Sequence, residues 1–231
     1  MVATRYYYKD TISDFIAKDD MEIVGKLTIA YVHDINEETK KSWVSEIDTM
    51  KTILRPYAER GSVYFEYNIP RMGRRADVIV LIDGIVFVLE FKTANQEFSR
   101  EAMVQVWDYA LDLKNFQEGS LDRVLLPIQV VPNEKDRNCT IESKHFEDNV
   151  YEPIQVNTQK LGEAIKHFLA NVTHVPCSRE DDDLWAKSGY EPTPTIIEAA
   201  VALFEENTVE DITKHDGDID LSLIHISEPT R

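Results

Sequence analysis

The stretch Asp77-Val-Ile-Val-Leu-Ile-Asp-Gly-Ile-Val-Phe-Val-Leu-Glu-Phe-Lys92 decides the fold. Two runs of five uncharged apolar residues, 78–82 and 85–89, flank Asp83-Gly84. Asp-Gly supplies the left-handed backbone that a two-residue hairpin turn requires, and Val and Ile favour strands on either side. The reading is an antiparallel hairpin in which Ile82 pairs with Ile85. Five steps further along that register, Asp77 faces Glu90. Directly opposed residues share a face, with Cβ atoms about 4.5–5.5 Å apart. Lys92 lies two residues beyond Glu90 and so on the same face, whereas Phe91 points the other way. The same register sets Arg75 against Lys92.

Two carboxylates and an ammonium thus converge at one end of an apolar hairpin. Like charges directly opposed are destabilising. A divalent cation between them, Mg²⁺ or Mn²⁺, would remove that cost, because hard oxygen ligands suit both ions. A plain surface ion network in which Lys92 neutralises the pair would remove it too.

Around the hairpin the elements are legible from spacing. Asn36 reads as an N-cap, followed by Glu37 and Glu38 in a first turn. Trp43, Ile47, Met50, Ile53, Leu54 and Tyr57 recur at three- and four-residue steps, so a helix is expected from there to about Arg60-Gly61. Residues 63–69 read as a strand, 70–73 as a turn, 100–116 as a helix, 124–131 as a strand, 132–149 as a polar loop and 158–170 as a helix. Residues 1–35 are expected to hold a helix or loop and then one strand within 27–32. Helices beside long apolar strands imply an α/β fold, with a central sheet covered on both faces.

Composition bounds the rest. The chain has 231 residues, 43% of them hydrophobic, enough for a sizeable core. Two cysteines, Cys139 and Cys177, exclude a disulfide scaffold and a four-thiolate zinc site. No run is long enough to span a bilayer, so the expectation is a cytoplasmic protein with no membrane partner. The formal net charge is −17. Thirteen Asp/Glu against three Lys/Arg fall within 176–220, so over half of that charge sits in a short segment. A local cluster of Arg71, Arg74 and Arg75 remains to attract a polyanion.

Asp77, twelve intervening residues and Glu90-Phe91-Lys92 resemble the signature of the PD-(D/E)XK nuclease superfamily. Gln105-Val-Trp-Asp-Tyr109 on the following helix resembles the Q-x-x-x-Y motif of its RecB-like branch; residues at i and i+4 share a helix face. The resemblance covers about 36–131, with Ala76 in place of the family's proline. It implies a restriction-endonuclease-like core, a mixed central sheet flanked by helices in the order α-β-β-β-α-β. It implies a metal-dependent nuclease acting on DNA, with RNA also possible. Asp77 and Glu90 would hold Mg²⁺ or Mn²⁺, with the Phe91 carbonyl as a further ligand. Lys92 would activate water. Glu46 on the first helix and Glu66 on the strand before the hairpin are further metal-ligand candidates, or else solvated residues. Gln105 and Tyr109 would position DNA or tune the metal shell, Tyr109 having a core role as its alternative. Arg71, Arg74 and Arg75 would touch phosphates or form a solvated turn. A catalytically silent nucleic-acid-binding module is the rival reading.

The domain expectation is a nuclease-like unit over 1–175. An acidic linker and a short helix, 195–206, are expected within 176–220. Residues 190–200 resemble the segment by which bacterial relatives join this module to a P-loop helicase/ATPase domain. Such a domain in cis is therefore an expected partner, missing from this chain, which reads as truncated. The last eleven residues, 221–231, resemble a translated sequencing adapter and are set aside from fold reasoning.

Overall fold

The Asp83-Gly84 hairpin lies near the middle of a six-stranded mixed sheet in the computed structural model. The structure describes residues 5–31, 35–93, 96–173, 182 and 184–191. Strand β3 (Arg74–Ile82) and strand β4 (Ile85–Phe91) pair antiparallel from Ile82↔Ile85 to Val78↔Leu89, the register expected. Asp83 and Gly84 have φ of 50° and 87°, the pair of left-handed residues such a turn needs. The Arg60 guanidinium clasps the Asp83 carboxylate and fixes the turn.

Strand β2 (Gly61–Ile69) runs antiparallel to β3, and the short β1 (Tyr8–Thr11) to β2. Beyond β4 the pairing becomes parallel, through β5 (Val124–Val130) to β6 (Ile154–Val156). Strand order is β1-β2-β3-β4-β5-β6. The parallel step from β4 to β5 uses helix α4 (Arg100–Phe116) as its crossover.

Helices cover both faces. On one face lie α1 (Ile12–Ala17), α2 (Asp20–Ala30), α3 (Glu37–Leu54) and α5 (Thr158–Asn171). Trp43, Ile47 and Met50 of α3 pack there on Val63, Phe65, Val78 and Phe87. On the other face α4 lays Val106, Tyr109, Ala110 and Leu113 against Tyr64, Tyr67, Ile79 and Val88. The caps follow the sequence: Asn36 accepts from the Thr39 amide, and Ser99 from the Ala102 amide.

One expectation needs correction, and two gain detail. The apolar residues at 27–30, expected to begin a strand, belong to α2, because Ile23, Val24 and Leu27 bury one helical face at 3.6-residue spacing. The 132–149 loop carries a 3₁₀ turn (Asp136–Asn138) and is followed by β6, too short to signal itself. The first compact unit extends through Glu191, past the expected boundary at 175. Trp185 is 1% exposed and packs with Tyr64 and Tyr67 on the α4 face, so this part of the acidic stretch belongs to the core. The expected helix at 195–206 and the 221–231 tail lie outside the described residues. Among the described residues no helix is long and apolar enough to cross a membrane.

Candidate active site

The ladders on either side of β3 lose their regularity at one level. In β2 and β3 the pairs Phe65↔Val78 and Tyr67↔Ala76 flank a step where Glu66 and Asp77 face each other without a regular pair. Glu66 has φ 53°, left-handed backbone that costs a non-glycine residue of order 1–3 kcal/mol. The irregularity changes which side chains face which layer. Val63 and Phe65 face the α3 side, but Tyr67 and Ile69 join Tyr64 on the α4 side. In β3, Val78 and Val80 face α3, whereas Ala76 faces α4 with Ile79. Asp77 and Glu66 thus occupy the crossing point between the two layers.

Four carboxylates meet there electrostatically. Asp77 Oδ2 accepts from the Phe91 amide at 2.7 Å. Glu90 Oε1 accepts from Lys92 Nζ at 2.8 Å and from Gln105 Nε2 at 2.8 Å. Gln105 Nε2 also donates to the Tyr109 hydroxyl at 2.7 Å. Glu46, from α3, accepts from Ser42 Oγ at 2.7 Å. Glu46 and Glu90 are each only 5% exposed. Burial pushes Glu46 up to about 7, with the nearby Glu66 and Glu90 charges adding to the rise. Burial also raises Asp77 well above the usual carboxylate range, reinforced by Glu90, Glu46 and Glu66. Glu90 is raised by burial, against the pull of Lys92. The Tyr109 hydroxyl is pushed up to about 12, first by burial and then by Glu90.

Glu90 Oε2 is the informative atom. It is buried and has no hydrogen-bond partner. A buried carboxylate oxygen without a partner costs several kcal/mol unless something positive meets it. Asp77, Glu90 and the Phe91 backbone are hard oxygen donors in one neighbourhood, which fits a divalent cation in kind. Among the described residues, no three Asp, Glu, His or Cys side chains are gathered closely enough to hold a metal by themselves. Backbone and water oxygens would have to complete the coordination.

The sequence candidates separate into two groups. The structure brings together Asp77, Glu90, Phe91, Lys92, Gln105 and Tyr109, with Glu46 beside them. Glu66 is close enough to raise their proton affinity, but both of its oxygens are engaged. Trp43 Nε1 donates to Oε1 at 2.9 Å, and Arg75 Nε to Oε2 at 2.9 Å. Neither of the expected pairs Asp77↔Glu90 and Arg75↔Lys92 forms: the β3–β4 ladder ends at Val78↔Leu89, and beyond it the Phe91 amide donates to the Asp77 side chain. The Arg75 guanidinium packs over the Tyr7 and Tyr31 rings, at 4.7 and 5.6 Å. Arg71 lies over Phe116 at 4.5 Å, and its amide donates to the Tyr190 hydroxyl. Arg74 is exposed. Residues that sequence reasoning missed are Ser42, Trp43, Tyr7 and Tyr31, which carry no motif and act by holding Glu46, Glu66 and Arg75.

Comparison with family models, with curated proteins and with solved structures finds no match.

Proposed function

We propose that this protein is a metal-dependent nuclease that hydrolyses phosphodiester bonds in DNA, of the PD-(D/E)XK type with a restriction-endonuclease-like core. The observation that carries the reading is the buried, unpartnered Oε2 of Glu90, next to Asp77 and Lys92 at the strand ends. The element order α3-β2-β3-β4-α4-β5 and the Gln105–Tyr109 pair support it. Asp77, Glu90 and the Phe91 carbonyl would hold Mg²⁺ or Mn²⁺. Such an ion polarises a phosphoryl oxygen and lowers the pKa of bound water.

The chain's own groups do the rest. Lys92 places a positive charge where negative charge develops on the phosphoryl group. Gln105 shares Glu90 Oε1 with Lys92 and so fixes the carboxylate's orientation. Tyr109, with its raised pKa, stays a neutral hydroxyl and accepts from Gln105. Glu46 is held by Ser42 at the edge of the site, where it can order water. The resemblance at 190–200 adds an ATP-driven helicase domain in cis as the natural partner.

The test is cleavage of labelled linear and circular DNA by the purified chain in Mg²⁺, Mn²⁺ or EDTA. Asp77→Asn and Lys92→Ala should each lower metal-dependent cleavage at least 100-fold, a loss of about 2.7 kcal/mol in transition-state stabilisation. Variants that keep the melting temperature and cut at the wild-type rate would sink the assignment.

A further inference from the structure

Lys92 lies where two open depressions meet. One, of about 440 Å³, runs beneath α3 past Lys41, Ser42 and Glu46. The other, of about 340 Å³, runs beneath the start of α4 past Gln96, Glu97 and Gln105. A third, of about 590 Å³, shares Gln96 and Glu97 with the second and continues over Phe98 to Lys135 and Arg137. Each falls within the range of volumes that hold small-molecule-sized groups.

We propose that these joined depressions form a track for one strand of nucleic acid, which passes Lys92 and is gripped by Lys135 and Arg137. The proposal rests on the nuclease reading and names its substrate as single-stranded.

An extended polyanion needs cations spaced along a groove, and its unpaired bases need an aromatic face. Lys41, Lys92, Lys135 and Arg137 supply the cations along this path, and the half-buried Phe98 supplies the ring. The far end is a built feature. Asn157, 3% exposed, donates from Nδ2 to the Glu134 carbonyl at 2.8 Å and to Asp136 Oδ1 at 2.6 Å. Glu134 Oε1 accepts from the Lys135 amide and from Asn138 Nδ2.

The acids along the same path select against a duplex. Glu38, Glu46, Glu97 and Glu101 line the first two depressions, and Glu134 lies in the third. A duplex brings a second row of phosphates, which would meet those carboxylates. A single backbone can run between them. Of the arginines proposed from sequence, Arg71 and Arg75 do not serve this path, since they are held on Phe116 and on Glu66.

The experiment measures binding of fluorescent sixteen-residue oligo(dT) to the full chain across a salt series in EDTA, with parallel cleavage assays in Mn²⁺. Lys135→Ala/Arg137→Ala should bind about tenfold or more weakly. Its slope of log K against log salt should fall by about 1.4, the value for two single-strand phosphate contacts. Asn157→Ala loosens the loop without removing a cation, so it should weaken binding with the slope unchanged. Equal affinity and slope for wild type and the double variant overturn the track, whatever the cleavage result. Tighter binding of a sixteen-base-pair duplex than of oligo(dT) overturns the single-strand assignment. Track binding as predicted, without cleavage in any metal, counts against the nuclease reading and leaves the track standing.

Discussion

Glu46, Asp77 and Glu90 are acids whose folded environment favours the proton. The consequence for stability has a definite sign. In the unfolded chain a glutamate titrates near 4.5; folded, Glu46 titrates at about 7. The folded state holds that proton more tightly, so no penalty exists below pH 4.5. The penalty grows between pH 4.5 and 7 and is complete above 7, where it amounts to about 3 kcal/mol for this one residue. Asp77 and Glu90 act in the same direction. Melting curves of the metal-free protein should therefore show a lower Tm at pH 8 than at pH 5. Glu46→Gln should raise the Tm at pH 8 and flatten the dependence. Mn²⁺ should raise it at pH 8, because a cation that binds only the folded chain offsets the repulsion. A Tm that climbs from pH 5 to pH 8 without metal would refute this account of the cluster.

At the scale of elements, the site depends on the level where β2 and β3 change their side-chain alternation. Trp43 and Arg75 grip Glu66 from two sides and hold its left-handed backbone in place. Arg75 is a strut of this kink, boxed by Tyr7 and Tyr31. Arg75→Ala should cost about 2 kcal/mol in denaturant unfolding, as removal of one partner leaves a half-buried carboxylate uncompensated. Arg74→Ala, at an exposed position, should stay within about 0.5 kcal/mol. Equal effects would mean that the strut carries no load. The sequence made the hairpin legible because Asp-Gly dictates both turn and register; extended beyond Val78↔Leu89, that register put Asp77 in the neighbourhood of Glu90 but not in a ladder pair with it, since Asp77 accepts from the Phe91 amide. The Gln105–Tyr109 pair was legible from helical spacing. The kink was not, since nothing about a glutamate in a β-rich run announces a positive φ. The linear extension of the register beyond Val78↔Leu89 therefore misplaced Arg75. The last turn of α2 differs for a related reason: the apolar residues at 27–30 suit a strand locally, and tertiary packing of the helical face that includes Leu27 decides otherwise.

For the whole molecule, the acidic composition of the stretch conceals a structural strap formed by Asp182 and residues 184–191. Charge density suggested a solvated linker, but Asp182 is 2% exposed and pairs with the buried Arg123 at 2.9 Å. The Tyr64 hydroxyl donates to the Asp182 carbonyl. Trp185 Nε1 donates to Ser120 Oγ, and Gln117 Nε2 to the Trp185 carbonyl. Tyr190 donates to Asp112 Oδ1 and accepts from the Arg71 amide. The strap thus closes the α4 face of the sheet and reaches the turn between β2 and β3. Trp185→Ala should cost about 3–5 kcal/mol, the usual range for deleting a fully buried aromatic side chain. A chain ended at residue 175 loses Trp185 and leaves Arg123 buried without Asp182, so it should be insoluble or melt far below the full chain. A stable, cooperatively folding 1–175 fragment would place the strap outside the domain. The same logic sets where any cut between this unit and its neighbour belongs: after Glu191, not before the strap.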